Sequence, residues 1–190
     1  MRTIKDVFSD RTCYKFKNTP LTEELLKEIY DLMKLGPTSS NSCPLRIIFV
    51  QSLDAKSRLE KCLMEGNIAK VRSAPVTALF AYDPKFYNKM DILNPVAPQF
   101  KTYFATSKKA AIDTATRNST LQAAYFMIAA RGLGLDCGPM SGFNSEAIEK
   151  EFLAGTGLKI NFICNLGYKD QENPYPRLPR LDFSEVCKVV

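Results

Sequence analysis

The stretch RNSTLQAAYFMIAARGLGLDCGPMSGFN, residues 117–144, reads as a helix on its left half and a glycine-punctuated turn on its right. Leu121, Ala124, Tyr125, Ile128 and Ala129 recur on one stripe, which predicts a long helix from about Lys108 to Arg131. Ala123, Ala124, Ala129 and Ala130 are small enough to let another element approach closely. Gly132, Gly134 and Gly138 suggest a dinucleotide fingerprint, but that fingerprint must follow a strand and open a helix. Here the glycines follow a helix, so a C-terminal cap and a turn explain them better. Gly138 to Gly142 spaces its serine as G-x-x-S-G rather than G-x-S-x-G, so Ser141 is not on a nucleophile elbow.

Upstream of this stretch, Asn94 to Phe104 carries two prolines and three aromatics without evident periodicity, which reads as a mobile loop or lid. Val76 to Tyr82 and Arg46 to Val50 read as apolar strands, with short helices at Ala55 to Met64 and Asn67 to Arg72 between them. Thr22 is a candidate N-cap for a helix bearing Leu25, Ile29, Leu32 and Met33, stopped by Gly36-Pro37. Downstream, Asn144 caps a short helix through Phe152, Lys159 to Leu166 is a third strand, and a proline-rich tail follows. Strands interleaved with helices predict an α+β or mixed α/β layer, in one domain over 1–190.

Composition excludes several chemistries. The 190 residues contain no histidine, which removes Ser-His and Cys-His nucleophiles and histidine-bearing zinc sites. The six cysteines form no C-x-x-C pair, and reduced thiols of a cytoplasmic protein are expected. Neither a secretory signal nor a membrane span is expected, since the longest apolar run, Ala123 to Ala130, is short. The net charge of +6 is scattered rather than gathered into a stripe, so no nucleic-acid partner is expected. An organic cofactor is the remaining source of chemistry.

Three short stretches offer it a place. Asp10-Arg11-Thr12-Cys13 sets a guanidinium beside a hydroxyl and a thiol, and an arginine fork matches a phosphate. Gly36 to Asn41 (GPTSSN) lies past a helix C-terminus, where the macrodipole disfavours an anion; its hydroxyls and amide suit the neutral polar edge of a heterocycle. Asn67 and Lys70 stand at i and i+3 on one helical face, able to grip a ring carbonyl and balance an anion.

Taken with YDLMKLGPTSSNSCPLRIIFV at 30–50, GNIAK at 66–70, SAPVTA at 73–78, EFLAGT at 151–156, NFICNLGY at 161–168 and PRLPRL at 176–181, these stretches resemble the nitroreductase family. The branch most similar is that of malonic semialdehyde reductases. The resemblance implies an α+β fold with a central mixed sheet flanked by helices, forming an intertwined homodimer with FMN at the interface. It implies that Arg11 and Arg177, with Thr12, Cys13 and Arg180 nearby, hold the FMN phosphate. Pro37, Thr38, Ser39, Ser40 and Asn41 would reach the flavin from the partner subunit, while Asn67 and Lys70 would face its pyrimidine edge. Pro139, Met140, Ser141 and Gly142 would pass over the central ring. Cys13 replaces a serine common in the family, and Ser141 replaces the glutamate of its wider membership.

The expected activity is ping-pong hydride transfer from NADH or NADPH through FMN to a small acceptor: a nitro compound, a quinone or a short aldehyde acid. Phe100, Tyr103 and Phe104 are candidate lining residues for that acceptor. A flavin-binding storage or sensor protein without turnover is the alternative.

Overall fold

A computed structural model describes residues 2–171 and 176–190. Four strands form one sheet in the order β1-β2-β4-β3, with β1 at Leu45–Val50, β2 at Val76–Tyr82, β3 at Asp136–Met140 and β4 at Lys159–Gly167. All three pairings are antiparallel, with Leu45 opposite Tyr82, Val76 opposite Leu166 and Cys137 also opposite Leu166. The expected mixed sheet is therefore corrected to an antiparallel one. Between β1 and β2 the chain makes two short helices, α3 (Leu53–Glu60) and α4 (Glu65–Ser73), that carry it out and back to the same sheet end. A parallel pair would need a crossover to the opposite end.

β2 is buried on both faces and separates two cores. On one face, α2 (Glu23–Met33) and α7 (Lys108–Gly132) pack Leu26, Ile29, Ala123, Phe126 and Ala130 against Val76, Ala78 and Phe80. The Phe80 and Phe126 rings meet edge to face at 5.3 Å, a favoured aromatic geometry. On the other face, Leu59, Val71 and Ile148 cover Leu79, Ala81 and Ile163, Ile148 coming from α8 (Ser145–Phe152). Thr22 and Asn144 cap α2 and α8 as expected, accepting from Leu25 N–H and Ala147 N–H. An unforeseen α1 (Ile4–Ser9) starts on a Thr3–Asp6 capping box.

Two other expectations change. β3 occupies residues read as a turn: α7 ends at Gly132, Gly134 takes a left-handed φ of 94°, and the chain then pairs with β4. β3 is an edge strand, so Pro139 can lie in it without costing an interior ladder bond. The stretch expected as a lid, Asn94 to Phe104, runs from the end of α5 (Met90–Leu93) into α6 (Gln99–Thr106). Phe104 from α6 is buried with Phe86, Met90, Ala111 and Ala115 in a third cluster. α9 (Phe183–Val186) is exposed on the tail. Among the described residues no helix is long and apolar enough to cross a membrane.

Candidate functional site

Three stretches distant in sequence converge beside β3. The Cys13 N–H donates to the Cys137 carbonyl at 2.9 Å, and Phe16 forms a lone bridge with Lys169. This crossing demands glycine at 138, because a Cβ there would stand 2.6 Å from the Cys13 carbonyl oxygen. It carries Arg11 and Thr12, both half-buried, into the lining of a cavity of about 270 Å³ shared with Tyr14, Lys15 and Lys169. Asp136, buried in the same lining, accepts the Lys169 N–H at 2.8 Å, and Lys15 pairs with Asp170 at 3.2 Å. Arg177 donates to the carbonyl of Ser9, another residue of that lining, but lines a neighbouring cavity rather than this one. Cationic side chains with a hydroxyl in a small cavity suit a phosphate.

Cys13 contributes differently from its neighbours. Its thiol is buried and donates to the Lys15 carbonyl at 3.1 Å; burial pushes its pKa up to about 11. The thiol therefore anchors the loop rather than presenting a charge to it.

Beside this cavity α4 meets the turn that follows β3. Asn67 Nδ2 donates to the Gly142 carbonyl at 2.9 Å, and Lys70 Nζ donates to Asn67 Oδ1 at 3.0 Å. A Cβ at Gly142 would lie 2.5 Å from Asn67 Nδ2, so a larger residue there would push the Asn67 amide aside. The Lys70 ammonium lies 5.2 Å from the Tyr14 ring centroid, which ties this cluster to the first stretch. A lysine has three N–H bonds and an amide two, so donors remain for a carbonyl-rich ligand edge. Pro139, Met140 and Gly142 are half-buried, and Ser141 is exposed at the apex.

The sequence matches the nitroreductase family model over residues 9–168. A protein of Cupriavidus pinatubonensis named as an NADH dehydrogenase/NAD(P)H nitroreductase is 47% identical over 173 residues, spanning 90% of this chain and 88% of its own. This chain belongs to the nitroreductase family. The fold agrees: a nitroreductase of Exiguobacterium sibiricum solved in complex with FMN superposes with a TM-score of 0.91 at 17% identity, covering 100% of this chain and 98% of the other. An NAD(P)H:FMN oxidoreductase of Staphylococcus epidermidis gives a TM-score of 0.87 at 20% identity, covering 100% and 97%.

Within this chain the Pro37–Asn41 stretch lies elsewhere, on the α7 side. Pro37 O accepts from Tyr125 Oη at 3.1 Å, and the Ser39 N–H donates to Asn118 Oδ1 at 2.8 Å. Thr38 Oγ1 accepts the Cys43 N–H at 3.2 Å. Ser40 and Asn41 are joined to residues 93–94 at the end of α5, through Asn94 Nδ2 to Ser40 O at 3.1 Å and Asn41 Nδ2 to Leu93 O at 2.6 Å. Arg180 folds onto its own tail, donating to the Leu178 and Pro179 carbonyls at 3.0 Å each, and is absent from the cavity lining. Of the aromatics proposed for an acceptor, Phe104 is core, Phe100 half-buried and Tyr103 exposed.

Sequence reading passed over Tyr14, Lys15, Asp136 and Lys169 in the cavity. Their assembly depends on the Cys13–Cys137 crossing, which leaves no periodic signal. Part of the basic surface is paired, for example Arg58 with Glu151 at 2.7 Å and Arg72 with Glu60 at 2.7 Å.

Proposed function

We propose that this nitroreductase is an FMN-dependent NAD(P)H oxidoreductase that acts as a homodimer on a small electrophilic acceptor. The observation carrying this reading is the convergence of the Arg11 cavity with the Asn67–Lys70–Gly142 cluster. The residues fit the group: cations and a hydroxyl for a phosphate at one end, amide and ammonium donors for a ring edge at the other. Flavin mononucleotide bound there supplies hydride transfer, in two half-reactions, from NADH or NADPH to the acceptor. Arg11, Thr12 and Arg177 would hold the phosphate, and Lys70 would favour negative charge at the ring's pyrimidine edge. Asn67 orients that ammonium through its own carbonyl. The exposed turn at Ser141 leaves backbone N–H groups available to a planar ring.

A second copy is part of this reading, because the Pro37–Asn41 stretch would serve the partner's flavin. Support comes from Leu178, Leu181, Phe183 and Val189, exposed on the tail, and from a groove of about 750 Å³ lined by Leu26, Met33, Leu45, Ile47 and Phe49 beside edge strand β1. Acceptors that suit the chemistry are nitro compounds, quinones and short aldehyde acids such as malonic semialdehyde. Six free thiols fit a reducing, cytoplasmic setting.

Purified protein loaded with FMN is expected to be yellow, to bleach anaerobically on NADH or NADPH, and to regain colour with acceptor. Protein that takes up no FMN refutes the proposal, and uptake without bleaching favours storage or sensing. Arg11→Ala is expected to weaken FMN binding by about tenfold or more, from charged hydrogen bonds of about 1.5–3 kcal/mol each. Unchanged affinity would remove Arg11 from the phosphate site.

A further inference from the structure

The stretch from Ser40 to Cys43 holds its backbone in a costly shape. Ser40, Asn41 and Cys43 have φ of 52°, 53° and 39°, a left-handed region that side chains with a Cβ rarely occupy. Such a shape persists only where the surroundings over-determine it, and strain of this kind gathers at ligand clamps.

The surroundings here are amide side chains. Asn118 lies in the middle of α7, 3% exposed, where its helix propensity is poor and an apolar residue would pack as well. Both ends of its amide are used: Oδ1 accepts the Ser39 N–H at 2.8 Å, and Nδ2 donates to the Thr114 carbonyl at 2.9 Å. One turn along, Gln122 Oε1 accepts the Leu45 N–H at 3.0 Å, pinning the far end of the loop. From the opposite side Asn94 holds the Ser40 carbonyl, and Asn41 returns a bond to the Leu93 carbonyl. The loop is thus gripped from α7 and from the end of α5.

We propose that Asn118, assisted by Asn94, is a positioning residue that fixes the 38–43 loop in its left-handed shape so that it fits a bound flavin edge. This rests on the reading that Pro37–Asn41 faces FMN bound to the partner subunit. Neither amide touches the cofactor; each acts through the backbone of Ser39 or Ser40. The bonds from Asn94 to Ser40 and from Asn41 to Leu93 also make the end of α5 part of the loop's support, so a shift there is felt at the flavin edge.

The test measures FMN dissociation constants by fluorescence quenching, the visible spectrum of bound flavin, and the NADH bleaching rate in wild type and four variants. Asn118→Leu removes the acceptor for Ser39 N–H and is expected to weaken FMN binding by about tenfold or more. Asn118→Asp keeps an acceptor oxygen for the Ser39 N–H and, with its buried carboxyl protonated, an O–H donor for the Thr114 carbonyl, and should stay within about threefold of wild type. Asn94→Ala, at a half-buried position that carries little folding risk, should weaken binding by about threefold and shift the flavin spectrum. Ser119→Ala is the control: it removes a buried hydroxyl on the same helix that bonds Thr116 O and Asn161, not the loop, and should leave FMN binding unchanged. Wild-type affinity and spectrum in Asn94→Ala, or equal weakening by Asn118→Asp and Asn118→Leu, would overturn the inference while leaving the flavin reading intact. Equal weakening by Ser119→Ala would also overturn it, as a general stability effect. Wild type that takes up no FMN would instead defeat the parent reading, and this inference with it.

Discussion

Cys13 sits one residue from Thr12 in a cationic cavity, yet its burial keeps the thiol protonated. Its folded-state pKa of about 11 lies above the ordinary thiol value of 9.0, so folding favours the neutral thiol. That contribution is fully present below pH 9 and is lost as pH rises through about 11. Burial likewise raises the pKa values of Cys62 and Cys164. Melting temperature is therefore expected to fall between pH 9 and 11, and less steeply in Cys13→Ser than in wild type. Parallel curves for the two proteins would show that Cys13 does not contribute to the alkaline loss.

At the scale of elements, α6 places two aromatics with opposite duties on adjacent residues. Phe104 packs on Phe86 with ring centroids 5.0 Å apart and is buried, whereas Tyr103 is 54% exposed. Phe104→Ala is expected to cost about 3–5 kcal/mol of stability, as for other buried phenylalanines. Tyr103→Ala should cost far less and, where the acceptor passes over α6, raise the acceptor KM instead. Denaturant melts and steady-state kinetics on both variants separate these effects. A small stability loss in Phe104→Ala would contradict the burial. The long helix α7 likewise serves two purposes: its apolar stripe covers the sheet, while Asn118, Gln122 and Tyr125 hold the 37–45 loop.

At the scale of the whole molecule, a single chain leaves apolar residues of the tail in solvent and a sheet with an edge strand at β1. Light scattering is expected to give twice the chain mass of 21.3 kDa for the wild type. Deleting residues 182–190, which spares Arg177 and Arg180, should shift the protein toward monomer and lower FMN occupancy. A deletion that stays dimeric with full occupancy would take the tail out of the interface.

Local rules in the sequence determined much of this. Thr22 and Asn144 announced their helices because capping is a matter of three or four neighbouring residues, and β2 was legible as a mainly apolar run. Arg11, Asn67 and Lys70 stood out because their chemistry is carried by side-chain type and short spacing. Only the tertiary structure decided that the sheet is antiparallel, that Asp136–Met140 is a strand despite Gly138 and Pro139, and that Phe104 belongs to the core. It also brought Asp136 and Lys169 to Arg11 and set Asn118 under Ser39. These pairings join residues 79 to 158 positions apart, and no periodicity or cap records such a contact. They exist because packing two helical layers on one sheet brings distant backbone segments within hydrogen-bonding reach.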